Sequence, residues 1–364
     1  MYPLKSRTYQ AALERTCSGM DLRFLQNKTV LISGATGMLG SCLVDMLCVW
    51  NRGQTAPCRV TALSRNADTA AARFQPFLAE GNLTACVQDV CLPVADDVPA
   101  ADYIIHAASP ADPVNMAAYP ADTLLANVLG TKNLLDFGMG HGMERFAYIS
   151  SGEVYGQPGQ GLFDFTEEYC GPLDLSSPRS CYPEGKRAAE VLCQSYISQY
   201  GVDVVIARPC HLFGPTMKEK DSRAVSEFLR NAAAGRDVVM KSAGLLERSH
   251  CYVVDAAAAI LLALGRGRCG AAYNIADRRY QMTVGEFAQR AAQAGNQQVI
   301  WEAPSDLEQK GYTKVKRIVL DPSRMEELGW APLCDVRSGI RETIDILREL
   351  TQSTTDGGVR LAAN

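Results

Sequence analysis

The stretch KTVLISGATGMLGSCLVDMLCVW, residues 28–50, constrains the fold more than any other part of the chain. KTVLIS is apolar and rich in β-branched residues, the pattern of a strand covered on both faces. It runs straight into SGATGMLG and then into an apolar segment long enough for a helix. Gly34, Gly37 and Gly40 therefore form G-x-x-G-x-x-G between a strand and a helix. Glycines there permit a tight turn and let a pyrophosphate reach backbone N–H groups at the helix N-terminus. A plain glycine-rich turn accounts for the same three residues in isolation. The surrounding pattern favours dinucleotide binding.

That pattern is an alternation. RVTALS (59–64), LTACVQDV, ADYIIHAAS (101–109), RFAYISS (145–151) and VDVVIARP (202–209) read as further strands, separated by helical segments such as DTAAARFQPFLAE and ADTLLANVLGTKNLLDFGMG. Strand and helix in turn, without hairpin signals, predict an α/β, Rossmann-type doubly wound parallel sheet. Past residue 210 the pattern loosens. Helices near 221–235, 254–265, 283–294 and 335–349 alternate with short strands around 238–240, 272–275, 298–301 and 316–320. The expected organisation is a helical arm packed on the surface (1–27), the dinucleotide-binding domain (28–210), a smaller, mainly substrate-binding lobe (211–350) and a disordered tail (351–364).

Composition narrows the class of partner. A chain of 364 residues, 47% hydrophobic and 21% charged, buries a full core. The net charge of −4, without a long basic run, points away from nucleic acid and anionic membranes. No apolar stretch reaches transmembrane length, and MYPLKSRTYQ lacks the apolar core of a signal peptide, so the expected location is cytoplasmic. The 13 cysteines are odd in number and include no C-x-x-C, which suits buried thiols in a reducing compartment. His106, His141, His211 and His250 lack ligand spacing, so no metal is expected.

CYPEGKRAAE (181–190) puts Tyr182 at a helix cap, Pro183 at the first helical position and Lys186 one turn on, on the same side. A lone Y-x-x-x-K says little. With the glycine motif and ISSGEVYG (149–156) before it, the chain resembles the extended short-chain dehydrogenases/reductases that act as nucleotide-sugar epimerases, dehydratases and decarboxylases. The likeness spans roughly residues 28–350 and includes NVLGTKNLL, RPCHLFGP and LDPSRMEELGWAP. HAASPADPVNMAAYPADTLLANVLGT and PRSCYPEGKRAAE are most similar to the UDP-glucuronate decarboxylases, or UDP-xylose synthases.

The resemblance implies an NAD-type cofactor retained through a cycle of oxidation and reduction, with a nucleotide diphosphate sugar bound between two lobes. Ser151 matches the family's catalytic Ser/Thr, Tyr182 its base and Lys186 its lysine. A free tyrosine has a pKa of about 10, so a base working near pH 7 needs ~4 kcal/mol of preferential phenolate stabilisation. A neighbouring ammonium and a nicotinamide cation can share that task. Glu153, two residues past Ser151, has a role at sugar C5 in decarboxylases and dehydratases, although a plain loop carboxylate fits as well. Arg179 matches an arginine that meets the substrate carboxylate, Arg248 one that grips the substrate pyrophosphate, and His211 replaces a common Asn there. Two departures stand out: Gly152 replaces the dehydratases' Asp and the decarboxylases' usual Ser, and Val254 replaces a second arginine of some bacterial decarboxylases.

The cofactor set is Gly34, Gly37, Met38, Leu39, Gly40, Ser64, Arg65, Asp89, Val90, Ala107, Ala108, Ser109 and Asn127, with Tyr182 and Lys186 at the reacting end. Asp89 is placed to meet the adenine amino group. Ser64 and Arg65 stand where a carboxylate would hold both ribose hydroxyls of NAD. Arg65 suits a 2′-phosphate or a stack on adenine in either cofactor, so NAD is expected and NADP stays open. The family likeness also implies a homodimer through the helices near 121–140 and 182–200, with Leu124, Leu125, Val128, Val191 and Leu192 between copies. UDP-glucuronate decarboxylation is the leading reading; its rivals are a 4-epimerase, a 4,6-dehydratase and a non-catalytic dinucleotide-binding regulator.

Overall fold

The apolar runs become strands of one parallel sheet. This computed structural model describes residues 3–360 apart from 160, 162–163, 307–308, 310–311 and 313–314. Its strands begin with β1 (Thr29–Ser33), β2 (Arg59–Ser64), β3 (Leu83–Val87), β4 (Tyr103–His106), β5 (Arg145–Ile149) and β6 (Val204–Pro209). They continue as β7 (His211–Phe213), β8 (Val238–Met240), β9 (Glu247–Tyr252), β10 (Ala272–Ile275), β11 (Gln281–Thr283), β12 (Val299–Trp301) and β13 (Arg317–Ile318). The helices that matter below are α1 (Arg7–Ser18), α2 (Met38–Asn51), α3 (Ala67–Leu78), α4 (Pro113–Ala118) and α5 (Pro120–Gly140). After them come α6 (Cys181–Tyr200), α7 (Ala224–Ala233), α8 (Val253–Arg266), α9 (Val284–Gly295) and a C-terminal helix (Val336–Arg360).

The main sheet has the order β10-β6-β5-β4-β1-β2-β3. The order reverses between β1 and β4, whose helices leave toward opposite faces and open a crevice at the carboxyl ends. Register aligns those ends, with Ser33 opposite both Leu63 and His106. All five residues of β1 are buried, as expected for a strand covered on both sides.

Three features differ from the sequence reading. The run 272–275, placed in the smaller lobe, is the seventh strand of the main sheet and pairs with β6. α8 goes with it: VVDAAAAILLALGR is apolar nearly all round, so it needs cover on every side and finds it between the sheet and α2. The smaller lobe is therefore built mainly from the residues on either side of 253–275. Second, the N-terminal arm keeps Arg7, Ala11, Glu14, Arg15 and Ser18 exposed but buries its other face more deeply than a surface covering needs. Tyr9, Ala12 and Leu13 of α1 have no exposure, because α2, α8 and the C-terminal helix enclose them. Third, the C-terminal helix continues through 351–360, where disorder was expected; residues 361–364 lie outside the described residues. Buried Ile344, Leu347 and Leu350 anchor that helix, Thr351 Oγ1 donates to the Leu347 carbonyl at 2.9 Å, and no proline interrupts the ladder beyond.

α7 and α9 pack together in the smaller lobe, above the short sheets β12-β8 and β11-β9-β13, and β7 pairs with β9. Among the described residues no helix is long and apolar enough to cross a membrane.

The arm is tied in by a buried polar contact as well as by packing. Tyr9 Oη donates to Asp45 Oδ2 at 2.9 Å, and Arg73 pairs with the same carboxylate, which has no exposure. Tyr9→Phe should lower stability by about 1–3 kcal/mol, the cost of removing one of the two donors to a buried carboxylate. Urea unfolding should show a lower midpoint with an unchanged slope; an unchanged midpoint would make the arm an appendage.

Candidate active site

At the crevice the glycines do separate jobs. Gly34 has φ +67°, and a Cβ on it would lie 2.7 Å from the Ala108 backbone. A Cβ at Gly40 would come within 2.3 Å of the Gly34 carbonyl oxygen, so this glycine lets α2 start close against the strand. Gly37 caps α2 and leaves its first N–H groups facing the crevice. Behind the turn, Ser33 Oγ lies 2.7 Å from His106 Nδ1 and accepts from the Ala108 N–H at 3.3 Å, which fixes the opposite wall.

The resulting groove encloses about 630 Å³. Of the expected cofactor residues, Gly37, Met38, Leu39, Gly40, Arg65, Ala107, Ser109, Tyr182 and Lys186 line it. Gly34, Ser64, Asp89, Val90, Ala108 and Asn127 are not on its surface. Asn127 is buried and acts through a neighbour: its Oδ1 accepts from Ser109 Oγ at 2.9 Å. Val90 packs where a Cβ on Gly130 would be, 2.9 Å away, which allows α5 to close on the sheet. Asp89 Oδ1 accepts from the Cys91 N–H at 2.9 Å and shapes the turn after β3. Among the described residues the buried Ser64 Oγ has no hydrogen-bond partner.

The reacting end is built on α6. A short 3-10 turn (Pro178–Ser180) leads into the helix, which begins at Cys181 rather than after Tyr182. Pro183 is thus third in the first turn, where its missing N–H still costs no intrahelical bond. Tyr182 and Lys186 share a face, and both are almost fully buried. Lys186 Nζ donates to the Ile149 carbonyl at 2.6 Å and lies 5.9 Å from the centre of the Tyr182 ring. Burial pulls the Lys186 pKa down to about 7, opposed by the carboxylate of Glu190. Burial and then Glu153 push the Tyr182 phenol up to about 12, while a hydrogen bond with Ser151 and the charges of Arg179 and Arg223 pull it back. Ser151 ends the loop after β5, and its Oγ accepts from the Glu153 N–H at 3.1 Å.

A second cavity of about 450 Å³ adjoins the first, and Ala111, Leu212 and Arg223 line both. Glu153, Arg179, His211 and Arg248 open onto it. Arg179 Nη2 donates to both Glu153 oxygens, at 2.8 and 2.9 Å. Arg248 has 2% exposure and donates to the carbonyls of Val315 (2.6 Å), Glu247 (2.8 Å) and Lys316 (3.1 Å). Among the described residues no carboxylate pairs with it, and burial lowers its pKa to about 10. His211 faces His250 with ring centres 5.9 Å apart; burial, with Arg248 next, holds it well below its ordinary value and therefore neutral. Its Nδ1 is enclosed without a hydrogen-bond partner among the described residues. Val254 is buried away from both cavities, and a Cβ on Gly152 would meet the Leu320 side chain at 3.1 Å.

The sequence reading missed three contributors. Arg223 stands where the cavities meet, with Nε 2.9 Å from Asp221 Oδ1 and Nη2 3.5 Å from the Met38 sulfur. Glu190 and Arg208 form a two-point ion pair behind the site, at 2.9 and 2.6 Å. Ser150 Oγ donates to the same glutamate, and Arg208 also reaches the Tyr155 hydroxyl at 3.0 Å. Glu190 lies one turn after Lys186, a spacing that would have flagged it.

A family model described as the NAD dependent epimerase/dehydratase family matches residues 30–276. UDP-glucuronic acid decarboxylase 1 of Danio rerio is 31% identical over 356 residues, covering 96% of this chain and 80% of that protein. UDP-glucuronic acid decarboxylase 5 of Arabidopsis thaliana is 31% identical over 320 residues, covering 86% of this chain and 87% of that one. Among solved structures, a dTDP-glucose 4,6-dehydratase of Streptomyces venezuelae with NAD bound superposes with TM-score 0.75 at 25% identity, over 89% of this chain and 98% of that one. A UDP-glucuronic acid 4-epimerase of Bacillus cereus, with UDP-glucuronic acid and NAD, has TM-score 0.72 at 19% identity, over 88% and 99% of the two chains; it bears on the fold alone.

Lys186 makes the site thermodynamically costly, and the sign is testable. Its pKa falls from 10.5 unfolded to about 7 folded, so the unfolded chain binds the extra proton between those values. Its destabilising effect is complete below about pH 7 and fades as the pH rises toward 10.5. Lys186→Met should therefore raise Tm at pH 6.5, and the gain should shrink by pH 9.5. A variant less stable than wild type at pH 6.5 would show that the ammonium supports the fold.

Proposed function

The chain belongs to the NAD dependent epimerase/dehydratase family, and on that premise we propose that it decarboxylates UDP-glucuronate through a transient 4-keto sugar. The relatives named UDP-glucuronic acid decarboxylase support the choice of substrate. The observation that carries the reading is that the groove lined by Tyr182 and Lys186 adjoins a second cavity lined by Arg179 and Glu153, with the Arg179 guanidinium 6.0 Å from the centre of the Tyr182 ring. A regulator that only senses a dinucleotide has no use for that arrangement.

The glycine cradle fits a dinucleotide, because the close backbone packing that Gly34 and Gly40 allow lets α2 start at Gly37 with its first N–H groups facing the groove, where a pyrophosphate can accept from them. Bound there, NAD supplies the acceptor for a hydride and, once reduced, the donor that returns it. The chain's own residues manage protons and charge. Tyr182 takes the proton of the sugar C4 hydroxyl while Ser151 holds the same oxygen. Lys186, fixed on the Ile149 carbonyl, favours the phenolate whenever it is protonated. Arg248 and His211 receive the substrate diphosphate; a buried guanidinium with only carbonyl partners suits an anion.

Arg179, oriented by Glu153, meets the C6 carboxylate. Once C4 is a ketone that carboxylate is β to it, so the C5–C6 bond breaks, its electron pair enters the C4 carbonyl and CO2 leaves. The enolate takes a proton at C5, where Glu153 is the nearby acid–base group. Tyr182 then returns its proton to the C4 oxygen as the carbonyl is reduced. Gly152 offers no acid for expelling a 6-hydroxyl, which counts against dehydration.

Mass spectrometry of UDP-glucuronate incubated with the protein should show loss of CO2 and formation of a UDP-pentose. A UDP-hexuronate of unchanged mass would mean 4-epimerisation instead. Tyr182→Phe should bind cofactor normally and lose at least 10²-fold in rate, the usual cost of removing a general base. Arg179→Met should lower kcat/KM for UDP-glucuronate by about ten- to a hundredfold.

The same reading includes a homodimer. Leu124, Leu125 and Val191 are exposed on adjoining faces of α5 and α6, with Val128 and Leu192 half-buried beside them. Two copies meeting there would cover the apolar strip in a four-helix contact. Light scattering at micromolar concentration should give twice the chain mass, and Leu125→Lys with Val191→Lys should give the monomer.

A further inference from the structure

Decarboxylation consumes a proton that the rest of the proposed cycle does not supply. The hydride removed at C4 comes back to C4, and the proton that Tyr182 takes from the C4 hydroxyl returns to it. Replacing the C5–C6 bond by a C5–H bond takes one further proton from solution, because a carboxylate leaves as neutral CO2. The ion pair of Arg179 with Glu153 offers a place to hold that proton.

Both members of the pair stand on fixed backbone. Glu153 lies in a short 3-10 turn (Gly152–Tyr155); its N–H donates to Ser151 Oγ at 3.1 Å, and its carbonyl accepts from the Gly156 N–H at 3.2 Å. Arg179 lies in the turn Pro178–Ser180, where Ser180 Oγ donates to the Asp174 carbonyl at 2.6 Å. A change of partner is therefore a matter of side-chain rotation. Both side chains line the second cavity and stay within reach of a ligand, with 15% exposure for Arg179 and 20% for Glu153. The two Glu153 oxygens share one nitrogen, Nη2, at 2.8 and 2.9 Å. The strongest pairing of guanidinium and carboxylate uses two parallel N–H groups, so a substrate carboxylate has a better contact to gain than Glu153 holds.

With that carboxylate in place, two anions flank one guanidinium in a cavity from which the ligand has displaced water. Carboxylates so placed share a proton, because both cannot stay ionised. The other charges on the cavity wall are engaged: Lys241 Nζ lies 3.8 Å from Glu227, Arg223 pairs with Asp221, and Arg248 faces the diphosphate in the reading above. His211 is neutral.

We propose that the C6 carboxylate of the substrate displaces Glu153 from Arg179, that Glu153 takes up a proton from solution as it leaves, and that C5 receives this proton. The C5–C6 pair enters the enolate, CO2 departs, and the enolate forms its C5–H bond at the expense of the Glu153 O–H bond. Glu153, ionised again, returns to Arg179. A neutral sugar leaves the pair closed, so recognition of the acidic sugar and loading of the proton are one event. This role for Glu153 rests on the decarboxylase reading.

Tyr182→Phe stops turnover and removes the phenol as a titrating group. Calorimetry of that variant with NAD, at pH 7 in two buffers of different ionisation enthalpy, counts the protons taken up per ligand bound. UDP-xylose brings the same diphosphate without the carboxylate, so it reports any uptake by Lys186 or His211. UDP-glucuronate should take up about one proton more than UDP-xylose. Adding Glu153→Gln should abolish that excess and tighten UDP-glucuronate about threefold or more, since Arg179 loses its competing anion, and leave UDP-xylose within about twofold. Equal uptake with the two ligands, an excess that survives Glu153→Gln, or weaker UDP-glucuronate binding in that variant would overturn the proposal. Loss of CO2 in the wild-type incubation would then still uphold decarboxylation. UDP-glucuronate that fails to bind where UDP-xylose binds would remove both readings. The comparison of the two ligands in Tyr182→Phe decides the matter even if the double variant does not fold.

Discussion

A buried ammonium is the constraint on which the site depends. Taking a charge out of water costs several kcal/mol unless the protein replaces what water supplied. Here the Ile149 carbonyl supplies a hydrogen bond at 2.6 Å, and Glu190 supplies an opposite charge one helical turn away. Glu190 is itself confined by Arg208 on β6 and by Ser150 on the loop after β5. The contacts that make Lys186 tolerable therefore also set the spacing of α6, β5 and β6. Ser151 and Glu153 stand on the loop so fixed, and their approach to Tyr182 follows from it. Arg208 extends the network to Tyr155, whose hydroxyl donates to Asn274 on β10 at 2.6 Å. The seventh strand is thereby linked to the chemistry it lies behind.

Charge is distributed with equal economy around the second cavity. Arg179, Arg223 and Arg248 converge on it, two with carboxylate partners and one with carbonyls only. Such a set is costly in an empty site and favourable around a ligand with several negative charges. The smaller lobe is held to the sheet by contacts at the same place: Asp112 caps α4 and also accepts from Ser222, and Leu320 packs on Gly152. A ligand spanning the two cavities touches both sides of these ties. The helices that carry Tyr182 and Asn127 close on each other at Gly185, where a Cβ would stand 3.3 Å from the Asn127 side chain.

Much of this was legible before any coordinates. The first six strands, the glycine turn, and the order of Ser151, Tyr182 and Lys186 rest on local signals that a chain carries within a few residues. The misplacements share one cause. β10 and α8 follow a stretch of lobe residues, and nothing in AYNI distinguishes a strand that returns to the large sheet from one that stays in a small one. The buried face of the arm meets α2, α8 and the C-terminal helix, and no local signal in residues 1–27 names those partners. The partner of Glu190 is 18 positions away and that of Arg179 is 26, beyond the reach of any periodicity argument.

The sequence by itself determined the chemistry available: a backbone that can approach a pyrophosphate, a phenol one turn from an amine, and an arginine where an NAD site keeps a carboxylate. These depend on residue type and on spacings shorter than two helical turns. Only the tertiary structure decided which charges are satisfied and which wait for a ligand. Arg179 turns to Glu153 and Arg248 to bare carbonyls because segments far apart in the chain pack against them. The protonation states of Lys186 and Tyr182 were decided in the same way. Burial is a property of the whole fold, and a charge responds to everything that displaces water around it.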